Sequence, residues 1–132
     1  MKIIMKQHFF IFTILGVSFF CNAQDGVGSK IVFDNTTFNF GVLERGSKAE
    51  CEFSFINKSL SPVAIAKVKA SCGCTAPTWS KEPVKPNGSG KIKVKYNTNI
   101  TGSFVKTITI YTTLDNETIT LTIHGEVKKK PK

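Results

Sequence analysis

The chain has few of the residues that do most metal and redox chemistry: two histidines, two methionines and four cysteines in 132 residues. Met1, Met5, His8 and Cys21 all fall in the first 21 positions, so the rest holds one histidine (His124), no methionine and three cysteines (Cys51, Cys72, Cys74). Within residues 24–132 a catalytic zinc built on two or three histidines is thereby excluded. So is a methionine-rich copper site. Helical periodicity is missing as well, since no long stretch repeats apolar residues at i, i+3, i+4 and i+7. No Gly-x-Ser-x-Gly nucleophile elbow occurs, and His124 has no evident serine and carboxylate partners. One long apolar run exists, residues 9–20, and it falls short of the roughly 20 residues a membrane-spanning helix needs. The apolar fraction of 41% is too high for a disordered tail. A mean hydropathy of -0.02 is too low for a multispan membrane protein.

The apolar run reads as a secretory signal peptide. Lys2 and Lys6 supply the basic start, residues 9–20 the apolar centre, and Cys21-Asn22-Ala23 the small-residue cleavage site. Residues 1–23 are expected to be removed, leaving Gln24 first. Lipid anchoring at Cys21 is the minority alternative, because Phe20 stands where a lipobox wants a small residue. The remaining 24–132 carries 16 basic against nine acidic residues, a net of +7. The protein is expected to be exported, periplasmic or extracellular.

What remains alternates with period two, broken by turn residues. Ile31-Val32-Phe33 and Phe38-Asn39-Phe40 read as short extended pieces, with Gly41 and Gly46 bracketing a turn. Cys51, Phe53 and Phe55 alternate with Glu50, Glu52 and Ser54. Residues 63–71 form a strand whose phase changes midway, which predicts a bulge near Ala66. Residues 72–87 read as irregular, because Pro77, Pro83 and Pro86 oppose regular pairing, and Pro86-Asn87-Gly88 reads as a turn. Ile92, Val94 and Tyr96 alternate with Lys91, Lys93 and Lys95. Residues 104–111 follow, then a tight turn at Asp115-Asn116. Ile119, Leu121 and Ile123 alternate with threonines, and the last strand ends near Val127. About seven short strands at spacings of roughly ten residues predict a single immunoglobulin-like antiparallel β-sandwich over residues 24–127. Residues 128–132 are a basic frayed tail.

Several blocks together resemble a known family. They are Phe38-Asn39-Phe40-Gly41-Val42 with Gly46, Phe53-Ser54-Phe55-Ile56-Asn57-Lys58, Pro62-Val63-Ala64-Ile65, and Ala70-Ser71-Cys72-Gly73-Cys74-Thr75 with Pro77. Pro86-Asn87-Gly88 and Ile123-His124-Gly125-Glu126-Val127 complete the set. The chain is similar to the bacterial domain of unknown function 1573, common in secreted proteins of Bacteroidetes-type bacteria and related to Hydin-type and PapD-like immunoglobulin-fold domains. The resemblance covers nearly all of residues 38–127 and implies fold and location, with no established activity.

Cys72-Gly73-Cys74 is the one candidate for chemistry. Two thiols two residues apart could chelate a soft metal, or close a small disulfide for which Gly73 supplies backbone freedom. Such a disulfide would be easy to reduce and would suit redox exchange, with Pro77 and Trp79 as walls. The competing reading is structural, a disulfide in an exported domain. Cys51 lies on the inward face of its strand, so a Cys51–Cys72 bridge is a further pairing, and three cysteines leave three single bridges open. A Cys3His zinc set with His124 is remote, because His124 falls on the polar face of its strand.

Lys91, Lys93 and Lys95, with Lys67, Lys69 and Lys106 as neighbours, form outward rows. They could meet an anionic polymer or membrane surface. The preferred reading is a solvated face that discourages edge-to-edge aggregation. Nucleic acid is disfavoured, because no aromatics interleave with these lysines. Glu50 and Glu52 read as solvated charges, Gly88-Ser89-Gly90-Lys91 as a hairpin loop, and the Asn-x-Ser/Thr sites at Asn35, Asn57, Asn87, Asn99 and Asn116 as incidental.

These residues predict an exported, non-enzymatic, monomeric binding or structural module of the cell envelope without cofactor. Its partner would be an envelope or extracellular protein whose extended segment adds to a sheet edge. The alternative is a thiol-redox or soft-metal protein working through Cys72 and Cys74.

Overall fold

The computed structural model describes residues 30–114 and 117–132. The expected signal peptide, Cys21, the cleavage site and the Asp115-Asn116 turn lie outside the described residues. Among those described, the chain forms eight strands: β1 (Ile31–Phe33), β2 (Thr37–Glu44), β3 (Glu50–Asn57), β4 (Ile65–Ala70), β5 (Thr75–Trp79), β6 (Ser89–Tyr96), β7 (Gly102–Thr112) and β8 (Thr118–Lys128). They lie in two sheets of order β1-β3-β6-β5 and β2-β8-β7-β4.

Period-two alternation builds the core as the sequence predicts. Cys51, Phe53 and Phe55 of β3 and Ile92, Val94 and Tyr96 of β6 are buried on one sheet. Phe104, Ile108 and Ile110 of β7 and Leu121, Ile123 and Val127 of β8 are buried on the other, and together they make one apolar cluster. The inner faces of two sheets thus bury one another, as a sandwich requires.

Three elements differ from the expectation. The second sheet is mixed, because β2 runs parallel to β8. The opening segment is shared between the sheets: β1 pairs with β3, then the chain crosses and reaches β8 in the same direction. Alternation reports which residues face inward and carries no information about the direction of the neighbouring strand. Residues 75–79, expected to be irregular, form β5, which pairs with β6 and has no second partner strand among the described residues. An edge strand tolerates Pro77, which has no N–H to give to a ladder. Gly41 is a bulge inside β2 and not a turn. Its φ of +66° suits glycine, and its N–H donates to Asn39 Oδ1 at 2.8 Å. The bulge near Ala66 is present, with the β4–β7 register shifting between Ile65 and Lys67.

Two local contacts fix the end of the sandwich where β3 stops. Asn57 is fully buried, and its amide donates to Ser61 O at 2.9 Å and Val84 O at 2.8 Å. Its Oδ1 accepts from the Ser59 N–H at 2.9 Å and the Ser59 hydroxyl at 2.7 Å. Asn87 follows Pro86 at φ +61°, and the Gly88 N–H closes the turn onto Lys85 O at 2.8 Å. That is a type II turn, with proline and asparagine in their favoured places. Nearby, Phe55 stands opposite Gly90 and lays its ring over it, so any Cβ at position 90 would run into that ring.

Asn57→Ala is expected to lower unfolding free energy by roughly 2–4 kcal/mol, because it removes four hydrogen bonds made by a fully buried side chain and leaves a gap in its place. Gly90→Ala should cost about 1–3 kcal/mol by forcing Phe55 out of place. Denaturant melts of both variants check these values, and a change below about 0.5 kcal/mol in either would contradict the account.

Candidate functional site

The chain must pass from β4 in one sheet to β5 in the other within residues 71–74. Ser71 anchors the start: its N–H donates to Thr107 O at 2.9 Å, and its hydroxyl accepts from the Thr107 N–H at 3.1 Å. The Thr75 N–H reaches back to Cys72 O at 3.3 Å, and the Asn97 N–H donates to Cys74 O at 2.9 Å. Gly73, at the tip, is exposed with open space where a Cβ would lie.

Cys72 and Cys74 are joined here by a disulfide, with Cα atoms 5.3 Å apart. The Cys74 N–H donates to Cys72 Sγ at 3.2 Å. The Thr75 hydroxyl lies 3.8 Å from Cys72 Sγ and 3.9 Å from Cys74 Sγ. Both cysteines are half-buried, and Cys74 packs against the core. The bridge closes a loop so short that chain entropy gives it well below the ~3 kcal/mol of a 15-residue loop.

The Cys51–Cys72 pairing does not form. Cys51 is a free, buried thiol in mid-sheet opposite Val94, whereas Cys72 lies beyond the end of β4 at the corner. Burial raises the Cys51 thiol to about 11. The Cys3His set is not assembled: His124 lies on β8 between Asn39 and Val105, in the sheet that does not hold Cys51. Among the described residues no three histidine, cysteine, aspartate or glutamate side chains gather around a point that could hold a metal ion. Trp79 does not wall the disulfide. It sits at the far end of β5, and its indole N–H donates to Ile65 O at 3.2 Å, tying the two sheets together across the bulge.

The lysines divide between the sheets. Lys91, Lys93 and Lys95 lie along β6 beside the carboxylates of β3: Lys91–Glu52 at 3.0 Å, Lys93–Glu52 at 3.7 Å and Lys95–Glu50 at 3.0 Å, with Lys48–Glu50 at 2.9 Å. Hydrogen bonds from Lys48 and Lys95 hold Glu50 below the usual carboxylate range, and Lys91 does the same for Glu52. Pairs this exposed add little stability. Their effect is to neutralise much of the row the sequence offered as a basic face. Lys67 and Lys69 belong to β4 and Lys106 to β7, on the other sheet, so they do not extend that row. Lys106 is half-buried between exposed Val105 and Thr107, in phase with Phe104 and Ile108, and is not outward.

The sheet edges are the other candidate surface. β1 is three residues long, β5 carries Pro77, and β4 carries exposed Lys67 and Lys69. Each device blunts an edge. β2 has eight residues with neither proline nor lysine, interrupted by the Gly41 bulge. It exposes Phe38 and Val42, the latter at 65%, and Val105 two strands away is 69% exposed. Two features that sequence reasoning passed over are therefore Thr75 and the bareness of β2. Continuing the alternation through Thr75, Pro77 and Trp79 would have placed Thr75 inward. The direction of β2 left no trace in the sequence.

The raised Cys51 thiol has a definite consequence for stability. Its folded value lies above its unfolded one, so its contribution is full below about pH 9 and is lost as pH rises toward about 11. Wild type should therefore lose stability more steeply across that window than Cys51→Ala, as read from denaturant melts at stepped pH. Parallel curves for the two proteins would refute the assignment.

A family model described as "Protein of unknown function (DUF1573)" matches residues 31–127. No curated protein matches the chain in sequence. Among solved structures, the chain is similar to an ASH/PapD-like domain of human CEP192, with TM-score 0.66 and 11% identity over 77% of this chain and 87% of that one. It is similar to a protein of unknown function from Porphyromonas gingivalis, with TM-score 0.64 and 14% identity over 73% of this chain and 46% of that one. It also resembles part of a family 123 glycoside hydrolase from Clostridium perfringens, with TM-score 0.62 and 11% identity over 72% of this chain and 23% of that one. At such identities the likeness is one of fold.

Proposed function

The chain belongs to the DUF1573 family, and from that membership and its unevenly guarded edges we propose that it is an exported, non-enzymatic binding module. It takes an extended segment of an envelope protein as an added strand beside β2. A PapD-like sandwich is a binding or structural module, and the observation that selects β2 is its bareness. The other three edges carry a proline, a pair of lysines or too few residues, whereas β2 presents eight residues with Phe38 and Val42 exposed. A strand docked there gains main-chain hydrogen bonds for affinity and side-chain contacts for specificity. The Gly41 bulge divides the edge, so the register of an incoming strand is fixed on both sides of it. Export is supported by the signal-peptide pattern and agrees with a disulfide, which persists in oxidising compartments.

The test is a photo-crosslinking amino acid placed at Val42, with Lys67 on the β4 edge as control, in the chain expressed in its own envelope. Peptide adducts are expected at position 42 and not at 67. Adducts equal at the two positions, or absent from both, would count against the reading. Val42→Lys should lower the yield of a captured partner at least tenfold while leaving the melting temperature within about 2 °C, since an exposed edge substitution costs little stability.

A further inference from the structure

We propose that the Cys72–Cys74 disulfide is a thiol–disulfide exchange site, with Thr75 as the residue that positions charge on its sulfurs. Its substrate class is an external dithiol, or in the reverse direction a disulfide on an exported polypeptide. The inference does not rest on the β2 edge and uses the opposite end of β4 and β5.

Three observations carry it. The Thr75 hydroxyl is buried, with Thr75 only 4% exposed, and the two sulfurs are its hydrogen-bond partners. A valine would fill the same space in a purely structural corner without placing a polar group there. The Cys74 N–H is aimed at Cys72 Sγ at 3.2 Å, the arrangement that favours a thiolate at that sulfur. Finally, the bridge spans one residue at an open corner, where Gly73 is exposed and nothing crowds it. A loop that small constrains little of the unfolded chain, so a stapling role does not account for it.

The exchange balances as follows. An external thiolate attacks Cys72 Sγ, the sulfur less tied to the core. A bond forms between the two sulfurs, the Cys72–Cys74 bond breaks, and Cys74 leaves as a thiolate within reach of the Thr75 hydroxyl. It then takes a proton from water. The second thiol of the same external dithiol, deprotonated, attacks its own sulfur in the mixed disulfide. Cys72 leaves as a thiolate held by the Cys74 N–H and Thr75 hydroxyl. The external dithiol is oxidised to a disulfide by two electrons, and the chain gains two thiols. The reverse sequence oxidises the chain at the expense of a partner disulfide.

The test uses the native chain with dithiothreitol, followed by alkylation and peptide mapping. Cys72 and Cys74 are expected to become alkylated while Cys51 stays protected, and oxidised dithiothreitol should restore the bridge. If the pair opens only together with Cys51, reduction requires unfolding and the proposal fails. The reduced chain is then reacted with an aromatic disulfide across pH. Its rate should reach half-maximum below the ordinary thiol value of about 8.5. Thr75→Val should move that midpoint up by about one unit, cutting the rate near neutral pH roughly tenfold, and Thr75→Ser should restore it. A midpoint that Thr75→Val leaves unchanged overturns the role of Thr75. A wild-type midpoint at or above 8.5 overturns the exchange site itself.

Discussion

One buried amide holds the end of the sandwich where β3 meets its loops. Asn57 uses two donors and two accepted bonds, all to loop atoms of residues 59, 61 and 84. Its backbone does the same for the turn before β6, with its N–H on Gly88 O at 2.9 Å and its C=O accepting from Asn87 at 2.7 Å. It also stands opposite Ile31, the first residue of β1. An unpaired amide in that low-dielectric place would be expensive, so the four bonds support one another. The β1, β3 and β6 alignments and the approach of the two loops depend on that condition. The side chain has no spare capacity for a ligand, which makes this end structural.

The opposite end is built differently. There the polar groups of the corner between β4 and β5 are mostly main chain: Ser71 on Thr107, Thr75 on Cys72, Asn97 on Cys74. Tyr96 stacks on Phe104 with ring centroids 3.7 Å apart and seals the core beneath that end. Stability is thus supplied by aromatic burial below the corner and by hydrogen bonds around it. The disulfide adds little to either, and its sulfurs can change state without removing a core contact other than that of Cys74.

Much of this was legible in the sequence, and the reason is physical. Ile92, Val94 and Tyr96 had to face the same way because a pleated strand alternates and their neighbours are lysines. The phase change around Ala66 required an extra residue, and the register shift is found there. What stayed hidden depended on partners far along the chain. Nothing near residue 40 says that β2 will lie parallel to β8, so Gly41 read as a turn although it is a bulge. The need for glycine at 125 comes from the same distant meeting, since a Cβ there would lie 2.9 Å from Gly41 O. Pro77 argued against a strand only because its edge position could not be known. Asn57 read as no more than an incidental Asn-x-Ser site for the matching reason, as its carbonyl partner Val84 is 27 positions away.

The four sheet edges show how such distant pairing leads to function. A sandwich leaves two edges on each sheet, and each invites another strand unless it is blunted. Here three are closed by means readable in local sequence: brevity in β1, Pro77 in β5, and Lys67 with Lys69 in β4. The fourth, β2, became an edge only because the chain left the first sheet after Phe33 and joined β8 from outside. Its exposed Phe38 and Val42 are therefore a consequence of topology. Had the segment stayed in the first sheet beside β3, the long edge would have belonged to that sheet, and β8 would have bounded the other.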